Sequence, residues 1–358
     1  MTPKISVVIA CRAEADTLWF TINSLQMHQR GPLLDRDGME IVVADNEPGK
    51  RLCQHVVGGG RPTCTKQTCG PTVNEVVAGF GESARFPVRY IDAGAVKSPY
   101  YPRMVGATAA RGEHLVFLDA HVLLSPFTIE GLHRLYVLGK MEDTFVVRPR
   151  LYMAHIPVAF DRPNRLFGPY KLRLHGDFWG GWTSMNDWPA PPASHEGIRV
   201  GIHPIGAAGI WCFSTSVESW ETIKGFNSEF VGYAGGEVYL QMKYWLLGGH
   251  VVLLRCTDDK TGEMAFGTHW SAPRRYNTYW PERIRNVLLG VSVVAPDLLD
   301  SVGANLMTKS GVAPVTLARL RTEAVSAGME EASWMAGNRV LAGTPALEAY
   351  WKANGVFF

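Results

Sequence analysis

Asp119 and His121 stand two residues apart at the end of an apolar run, Leu115-Val116-Phe117-Leu118. Side chains two apart on a strand share a face. The spacing therefore predicts that a carboxylate and an imidazole project together from the C-terminal end of a buried strand. Open α/β sheets bind their ligands just beyond that end. One oxygen donor and one nitrogen donor make half a site for a divalent cation such as Mn²⁺ or Mg²⁺. The plainer reading of the same pair is a solvated strand end with His121 packed on a neighbour.

A second constellation is Gly232-Tyr233-Ala234-Gly235-Gly236-Glu237, followed by Val238-Tyr239-Leu240-Gln241-Met242-Lys243-Tyr244-Trp245. Gly235 and Gly236 allow a tight turn or a close approach of backbone to a ligand. Glu237 falls in the first turn of the helix that follows. The helix dipole favours an acid there whatever its role, and such a carboxylate could also hold a sugar hydroxyl or act as a base. A third is Gly267-Thr268-His269-Trp270 with Arg274 and Arg275 just beyond. His269 is a candidate third metal ligand. The two guanidinium groups match the geometry of a diphosphate. Cys53, His55, Cys64 and Cys69 form a candidate Zn²⁺ site, although their spacing fits no standard finger. Reduced thiols on a surface loop are the simpler account of them.

These residues need elements to position them. Ile5 to Ala10, Glu40 to Ala44, Val88 to Ile91 and Leu115 to Leu118 read as strands. Glu14 to Met27, Tyr101 to Ala110 and Ile129 to Leu138 read as helices, the second with small residues on one side. Such alternation predicts an α/β fold, Rossmann-like, with a mainly parallel sheet flanked by helices. Phe145 to Leu151, Ile210 to Phe213 and His250 to Leu254 add strands, and Gly236 to Leu247 a helix. Arg51 to Pro71 reads as an irregular insertion. Asp161 to Pro204, dense in Pro, Gly and Trp, reads as a long functional loop region. From about Pro281 the pattern is helical. The expected division is a catalytic domain over 1–280 and a helical C-terminal extension over 281–358.

With 358 residues, 46% apolar and 19% charged, the chain is globular with a substantial core. A net charge of +2 assigns no partner. Six cysteines in this length do not suggest a disulfide framework. No apolar run reaches the length of a membrane span, and the first residues lead directly into a strand pattern. A cytoplasmic protein of bacterial or phage style is expected, without contact to membranes.

In order along the chain, Ile5-Ser6-Val7-Val8-Ile9-Ala10, Asp45-Asn46 and Asp119-Ala120-His121 resemble a GT-A glycosyltransferase of the family 2 type. The second half is more similar to the polypeptide N-acetylgalactosaminyltransferases. Their Asp-x-His metal motif corresponds to Asp119 and His121. Arg103 to Gly112 resembles the helix leading into their metal strand, and Gly206 to Ser214 resembles their Gly-Gly strand. Ile223 to Glu237 resembles their segment ending Trp-Gly-Gly-Glu-Asn. Trp245-Leu246-Leu247-Gly248-Gly249 matches their Trp-x-x-Gly-Gly, and Thr268-His269-Trp270 their third metal ligand. The resemblance runs from about residue 4 to 275. Ala234 stands in place of the motif tryptophan and Val238 in place of the Asn or Asp, which leaves the donor sugar and the base open.

The resemblance implies a GT-A fold and a nucleotide-sugar donor, UDP-linked. It implies a hexosyl- or N-acetylhexosaminyl-transferase, with retention of anomeric configuration ahead of inversion. Asp45 would contact the uracil or ribose. Asp119, His121 and His269 would hold Mn²⁺ against the diphosphate. Arg103, Arg274 and Arg275 would assist at the phosphates, Gly235 and Gly236 would line the donor, and Glu237 would meet the sugar or acceptor. That family carries a membrane anchor and usually a lectin domain. Neither is visible here, so a secretory enzyme is not expected.

Two segments interleave basic and aromatic residues: Arg148 to Trp188, and Arg274 to Arg285 with Tyr276, Tyr279 and Trp280. Such mixtures contact phosphates and stack bases. They place hydroxymethylated pyrimidines of phage-type DNA ahead of protein Ser/Thr as the acceptor. Polysaccharide or lipid comes third. A non-catalytic sugar-binding scaffold is the remaining alternative.

Overall fold

The computed structural model describes residues 3–52, 63–64, 70–124, 126, 128–137, 144–149, 151–155, 165–167, 170–174, 180–184, 194–195, 198–204, 212–258, 262–264, 267–271 and 279–340. Side chains are described over 3–51, 70–124, 126, 128–137, 212–252, 254 and 279–340.

The first half alternates as the apolar pattern predicts: β1 (Ile5–Cys11), α1 (Ala15–His28), α2 (Pro32–Asp37), β2 (Met39–Asp45), β3 (Arg51–Leu52), β4 (Thr63–Cys64), α3 (Val73–Ala78), β5 (Val88–Asp92), α4 (Tyr101–Ala109), β6 (His114–Asp119), β7 (Val122–Leu124) and α5 (Thr128–Val137). A strand-rich middle follows: β8 (Thr144–Pro149), β9 (Leu151–His155), β10 (Arg165–Phe167), β11 (Tyr170–Leu174), β12 (Gly180–Ser184), β13 (Ser194–His195), β14 (Ile198–Pro204) and β15 (Cys212–Ser216). The chain continues through α6 (Val217–Thr222), α7 (Gly236–Leu246), β16 (His250–Asp258), β17 (Gly262–Met264), β18 (Gly267–Ser271), α8 (Trp280–Val294), α9 (Leu299–Ser310) and α10 (Pro314–Asn338).

The main sheet runs β13-β14-β16-β8-β15-β6-β1-β2-β5. Its β6-β1-β2-β5 half is parallel throughout. Beyond β6 the sheet is mixed, because β15 pairs antiparallel with β6. Every residue of β1 and β2 is buried. Helices on both faces explain this, and explain why the strands are continuous apolar runs. Val7 and Ile9 pack with Leu18, Ile22 and Leu25 of α1 on one face. Val8, Val42 and Phe117 pack with α7 and α8 residues on the other. Gly106 of α4 is small of necessity: a Cβ there would stand 2.5 Å from the Val8 side chain.

Two expectations need correction. The region 161–204, read as loop, carries the five short strands β10 to β14, and β14 pairs antiparallel with β16 along its length. Strands of two to seven residues broken by Pro and Gly leave no stable period to read, and their partners lie far away in sequence. The stretch read as one strand from Phe145 to Leu151 is the end of one strand and the start of another, β8 in the main sheet and β9 in a four-stranded sheet of order β10-β9-β18-β7.

The C-terminal helices share the core of the α/β layer. Leu288, Leu289, Val293, Leu320, Ala324 and Met335 belong to the same buried cluster as Tyr239 and Met242 of α7. Lys243 of α7 is fully buried and pairs with Glu331 of α10, which also accepts from Tyr239 and, at 2.6 Å, from Asn227. Burial lowers the Lys243 ammonium to about 8. Breaking such a pair leaves a buried charge uncompensated, so α10 is fastened to the helix whose first turn carries Glu237.

Candidate active site

Of the four parallel strands β6-β1-β2-β5, three end in acids, all but β1. Cys11 of β1 pairs with Asp45 of β2, Ala10 with Asp119 of β6, and Asp45 with Asp92 of β5. The sheet thus assembles a carboxylate edge where a switch-point ligand would sit.

Asp119 and His121 do converge there, but for a different reason than strand alternation. β6 stops at Asp119, and Ala120 and His121 form a turn into β7. His121 Nε2 stands 3.9 Å from Asp119 Oδ2. Thr21 of α1 braces the turn on both sides: its hydroxyl donates to the Ala120 carbonyl at 3.0 Å and accepts from the Val122 amide at 3.2 Å.

Each of the two side chains is held from behind. Arg103 of α4, only 4% exposed, donates to Asp119 Oδ1 and to the Pro99 carbonyl. Its guanidinium is therefore turned on the carboxylate rather than into open solvent. Glu14 Oε1 lies 3.1 Å from His121 Nδ1. The far atoms, Asp119 Oδ2 and His121 Nε2, face each other. A metal-binding histidine characteristically has its second nitrogen on a carboxylate, and metal-binding carboxylates are themselves hydrogen-bonded. This oxygen-and-nitrogen donor set, held on both outer sides, fits a divalent cation.

β18 brings His269 to the same place. Its backbone pairs with Val122, the residue after His121. The His269 side chain lies outside the described residues, as do Arg274, Arg275, Cys53, His55 and Cys69, and the Cys64 side chain. Among the described residues no group of three metal-capable side chains occurs.

Asp45 is 1% exposed. Its carboxylate accepts from the Glu47 amide at 3.0 Å and from the Tyr90 hydroxyl at 3.2 Å. Burial pushes its pKa up to about 6, the two hydrogen bonds oppose that, and the charges of Asp92 and Glu47 add to it. Asn46 next to it donates to the carbonyls of Val96 and Ser98, both at 2.8 Å, and so fixes the loop entering α4.

The Gly235-Gly236 turn is built by packing. Gly235 has φ 84, and a Cβ on it would stand 2.9 Å from the Asn286 backbone of α8. A Cβ on Gly236 would stand 2.6 Å from the Tyr100 ring. Both glycines are thus committed to the protein's own backbone and side chains. Tyr100 also accepts from the Ala234 amide at 3.1 Å. Burial, then the charge of Glu237, raises the Tyr100 phenol well above its ordinary value. Tyr100 precedes α4, so one ring ties the Glu237 turn to the helix that carries Arg103. Glu237 receives the Tyr233 hydroxyl at 3.5 Å.

Glu14, Thr21 and Tyr100 were not singled out from the sequence. Glu14 offered one signal, an acid at the start of a helix directly after a buried strand. Thr21 and Tyr100 read there as ordinary helical and pre-helical positions.

No protein-family model matches the chain. It is 28% identical to human polypeptide N-acetylgalactosaminyltransferase 3 over 163 residues, covering 43% of this chain and 24% of the relative. Bovine polypeptide N-acetylgalactosaminyltransferase 6 is 26% identical with the same coverage. The chain thus matches about a quarter of the length of these curated relatives. Among solved structures, GalNAc-T7 with UDP, GalNAc and Mn²⁺ superposes with a TM-score of 0.59 at 16% identity, over 93% of this chain and 57% of that one. The fold is GT-A, and the sequence resembles the polypeptide N-acetylgalactosaminyltransferases. Among the described residues no helix is long and apolar enough to cross a membrane.

Proposed function

We propose that this chain is a metal-dependent glycosyltransferase, moving a hexosyl or N-acetylhexosaminyl group from a UDP-linked donor to a hydroxyl of a macromolecule. The observation that carries this reading is the array Arg103–Asp119–His121–Glu14 at the end of β6, with the His269 strand paired beside it. Asp119, His121 and His269 would hold Mn²⁺ or Mg²⁺. When bound, such a cation supplies Lewis-acid neutralisation of the charge that develops on a departing diphosphate.

The chain's own residues do the rest. Arg103 fixes the Asp119 carboxylate so that one oxygen faces the donor. Asp45, at the end of β2, accepts from the nucleoside. Arg274 and Arg275 are assigned to the phosphates. Glu237 is assigned to the sugar or the acceptor hydroxyl, with Gly235 and Gly236 shaping the turn that presents it. Retention of anomeric configuration is the course favoured by the relatives' likeness.

Two acceptors each have an observation behind them. The relatives named above are polypeptide transferases, which favours Ser/Thr hydroxyls of protein. The basic-aromatic stretches within 148–188 and 274–285 favour hydroxymethylated pyrimidine bases of phage-type DNA. Incubation with radiolabelled UDP-sugars and Mn²⁺, against hydroxymethylated DNA, unmodified DNA and a protein lysate, separates them. Label in the protein fraction alone sinks the DNA reading, and label in hydroxymethylated DNA alone sinks the protein one. No turnover of any donor together with no Mn²⁺ binding leaves the scaffold reading and overturns the enzyme.

A further inference from the structure

We infer that Glu14 is a positioning residue for the metal centre, fixing the tautomer and orientation of His121; this rests on the assignment of Asp119 and His121 as metal ligands. Glu14 occupies the N-cap of α1, yet its side chain makes no capping hydrogen bond. An N-cap side chain would ordinarily accept from an amide of the first turn. Here the Glu14 carbonyl, not its carboxylate, bonds the first turn, accepting from the Thr17 and Leu18 amides at 3.1 and 2.9 Å. The carboxylate is left for His121, 107 positions away in sequence. At 7% exposure Glu14 needs a partner inside the protein.

The geometry gives this pairing a direction. A carboxylate only accepts, so Glu14 calls for the proton on Nδ1; in the neutral imidazole this leaves the lone pair on Nε2, the atom 3.9 Å from Asp119 Oδ2. The backbone is bent to achieve it. Ala13, just before Glu14, takes φ 50, a left-handed conformation that L-residues adopt at a cost. Thr21, two turns further along the same helix, grips the peptide groups on both sides of the His121 turn. One helix therefore sets both the backbone and the ring of this ligand. A purely stabilising ion pair would need neither the bent entry nor the second grip.

The test is Mn²⁺ affinity of the full chain, by titration calorimetry or by the free-Mn²⁺ EPR signal, for Glu14→Ala, Glu14→Gln, His121→Ala and wild type. Far-UV circular dichroism checks folding. Loss of an outer-shell partner typically weakens metal binding about 10- to 100-fold, so that is the expected change for Glu14→Ala. Glu14→Gln keeps an oxygen that accepts from Nδ1–H, and should recover most of the affinity. Long-range ¹H–¹⁵N spectra of His121 should show the Nδ1–H tautomer in wild type and Glu14→Gln, and its loss in Glu14→Ala. If both Glu14 variants bind Mn²⁺ like wild type while His121→Ala does not, the role of Glu14 is overturned and the metal centre stands. If His121→Ala also binds like wild type, the metal assignment fails, and the role of Glu14 with it.

Discussion

The two halves of the site are held by different physics. At the end of β6, Asp119 and His121 are each gripped by a charged partner, Arg103 and Glu14, that is itself nearly inaccessible. At the start of α7, Glu237 sits on a turn set by shape: two glycines pressed against α8 and Tyr100. The Tyr233 hydroxyl approaches its carboxylate at 3.5 Å. A partner bonded to the outer side of each group fixes the direction of its other donor atom, which suits a cation. A packed turn fixes the backbone from which the Glu237 side chain projects. Substitutions on the first side should change metal affinity, and on the second, stability and turnover.

The largest effect tests the electrostatic side. Asp119→Ala removes a candidate ligand and strips the buried Arg103 of its carboxylate. Removing one member of a buried pair costs about 3–5 kcal/mol. Mn²⁺-dependent turnover should vanish, and thermal unfolding should fall steeply. Asp119→Asn should keep more stability than the alanine variant and still lose metal binding. Unchanged turnover in either would break the contrast at its root.

Asp45 comes next, because its shift has a defined pH window. Its folded pKa of about 6 lies above its ordinary 3.8. A raised acid contributes stability that is fully present below pH 3.8 and is lost as pH rises through about 6. The shift corresponds to about 3 kcal/mol. Unfolding free energy of Asp45→Asn, set against wild type between pH 3.5 and 7, should lack that slope. The donor side should show the opposite trend. On the proposed role of Asp45, protonation below about pH 6 removes the carboxylate assigned to the nucleoside, so KM for the UDP-sugar should rise there in wild type. An identical pH slope in the two proteins would show that Asp45 does not titrate in this window.

The legible part of this molecule is its parallel half. β1, β2 and β6 are covered on both faces, so their sequences are unbroken apolar runs, and an acid or histidine just past such a run is conspicuous. Asp45, Asp119 and His121 stood out for that reason. What holds them was not legible. Glu14 and His121 are joined only by the fold, and so are Thr21 and the Ala120–Val122 turn, because contacts across about a hundred residues leave no periodicity. The helix at Val73–Ala78 carries a legible start: Thr72 and Glu75 make a capping box, the Thr-x-x-Glu spacing that marks a helix N-terminus. The antiparallel entry of β15 was not readable, since a strand's direction depends on the path of the chain before it. Gly235 and Gly236 could be seen as exceptional, but the sequence does not tell a glycine kept for a ligand from one kept for a neighbouring helix.

Gly236→Ala distinguishes those two readings. A Cβ 2.6 Å from the Tyr100 ring must displace it or the turn. Overpacking of this kind costs about 1–3 kcal/mol. Packing therefore predicts a lower melting temperature and reduced kcat, with Mn²⁺ affinity close to wild type. A glycine kept for ligand approach would instead raise KM for the donor and leave the melting curve in place.

Tyr100→Phe is the smallest and sharpest probe, because Tyr100 touches both halves. The substitution keeps the ring against Gly236 and removes the oxygen that accepts from the Ala234 amide and also meets the Gly236 amide. One neutral hydrogen bond is worth about 0.5–1.5 kcal/mol, and leaving the buried amide unsatisfied puts the cost toward the upper end. The turn carrying Glu237 should loosen while Arg103 and Asp119 stay paired. We expect Mn²⁺ affinity unchanged, a melting temperature lower by a few degrees, and kcat reduced several-fold. A parallel loss of Mn²⁺ affinity would mean that the ring transmits strain into α4, and that the two halves form one mechanical unit. An unchanged kcat would mean that the packed ring alone holds the turn.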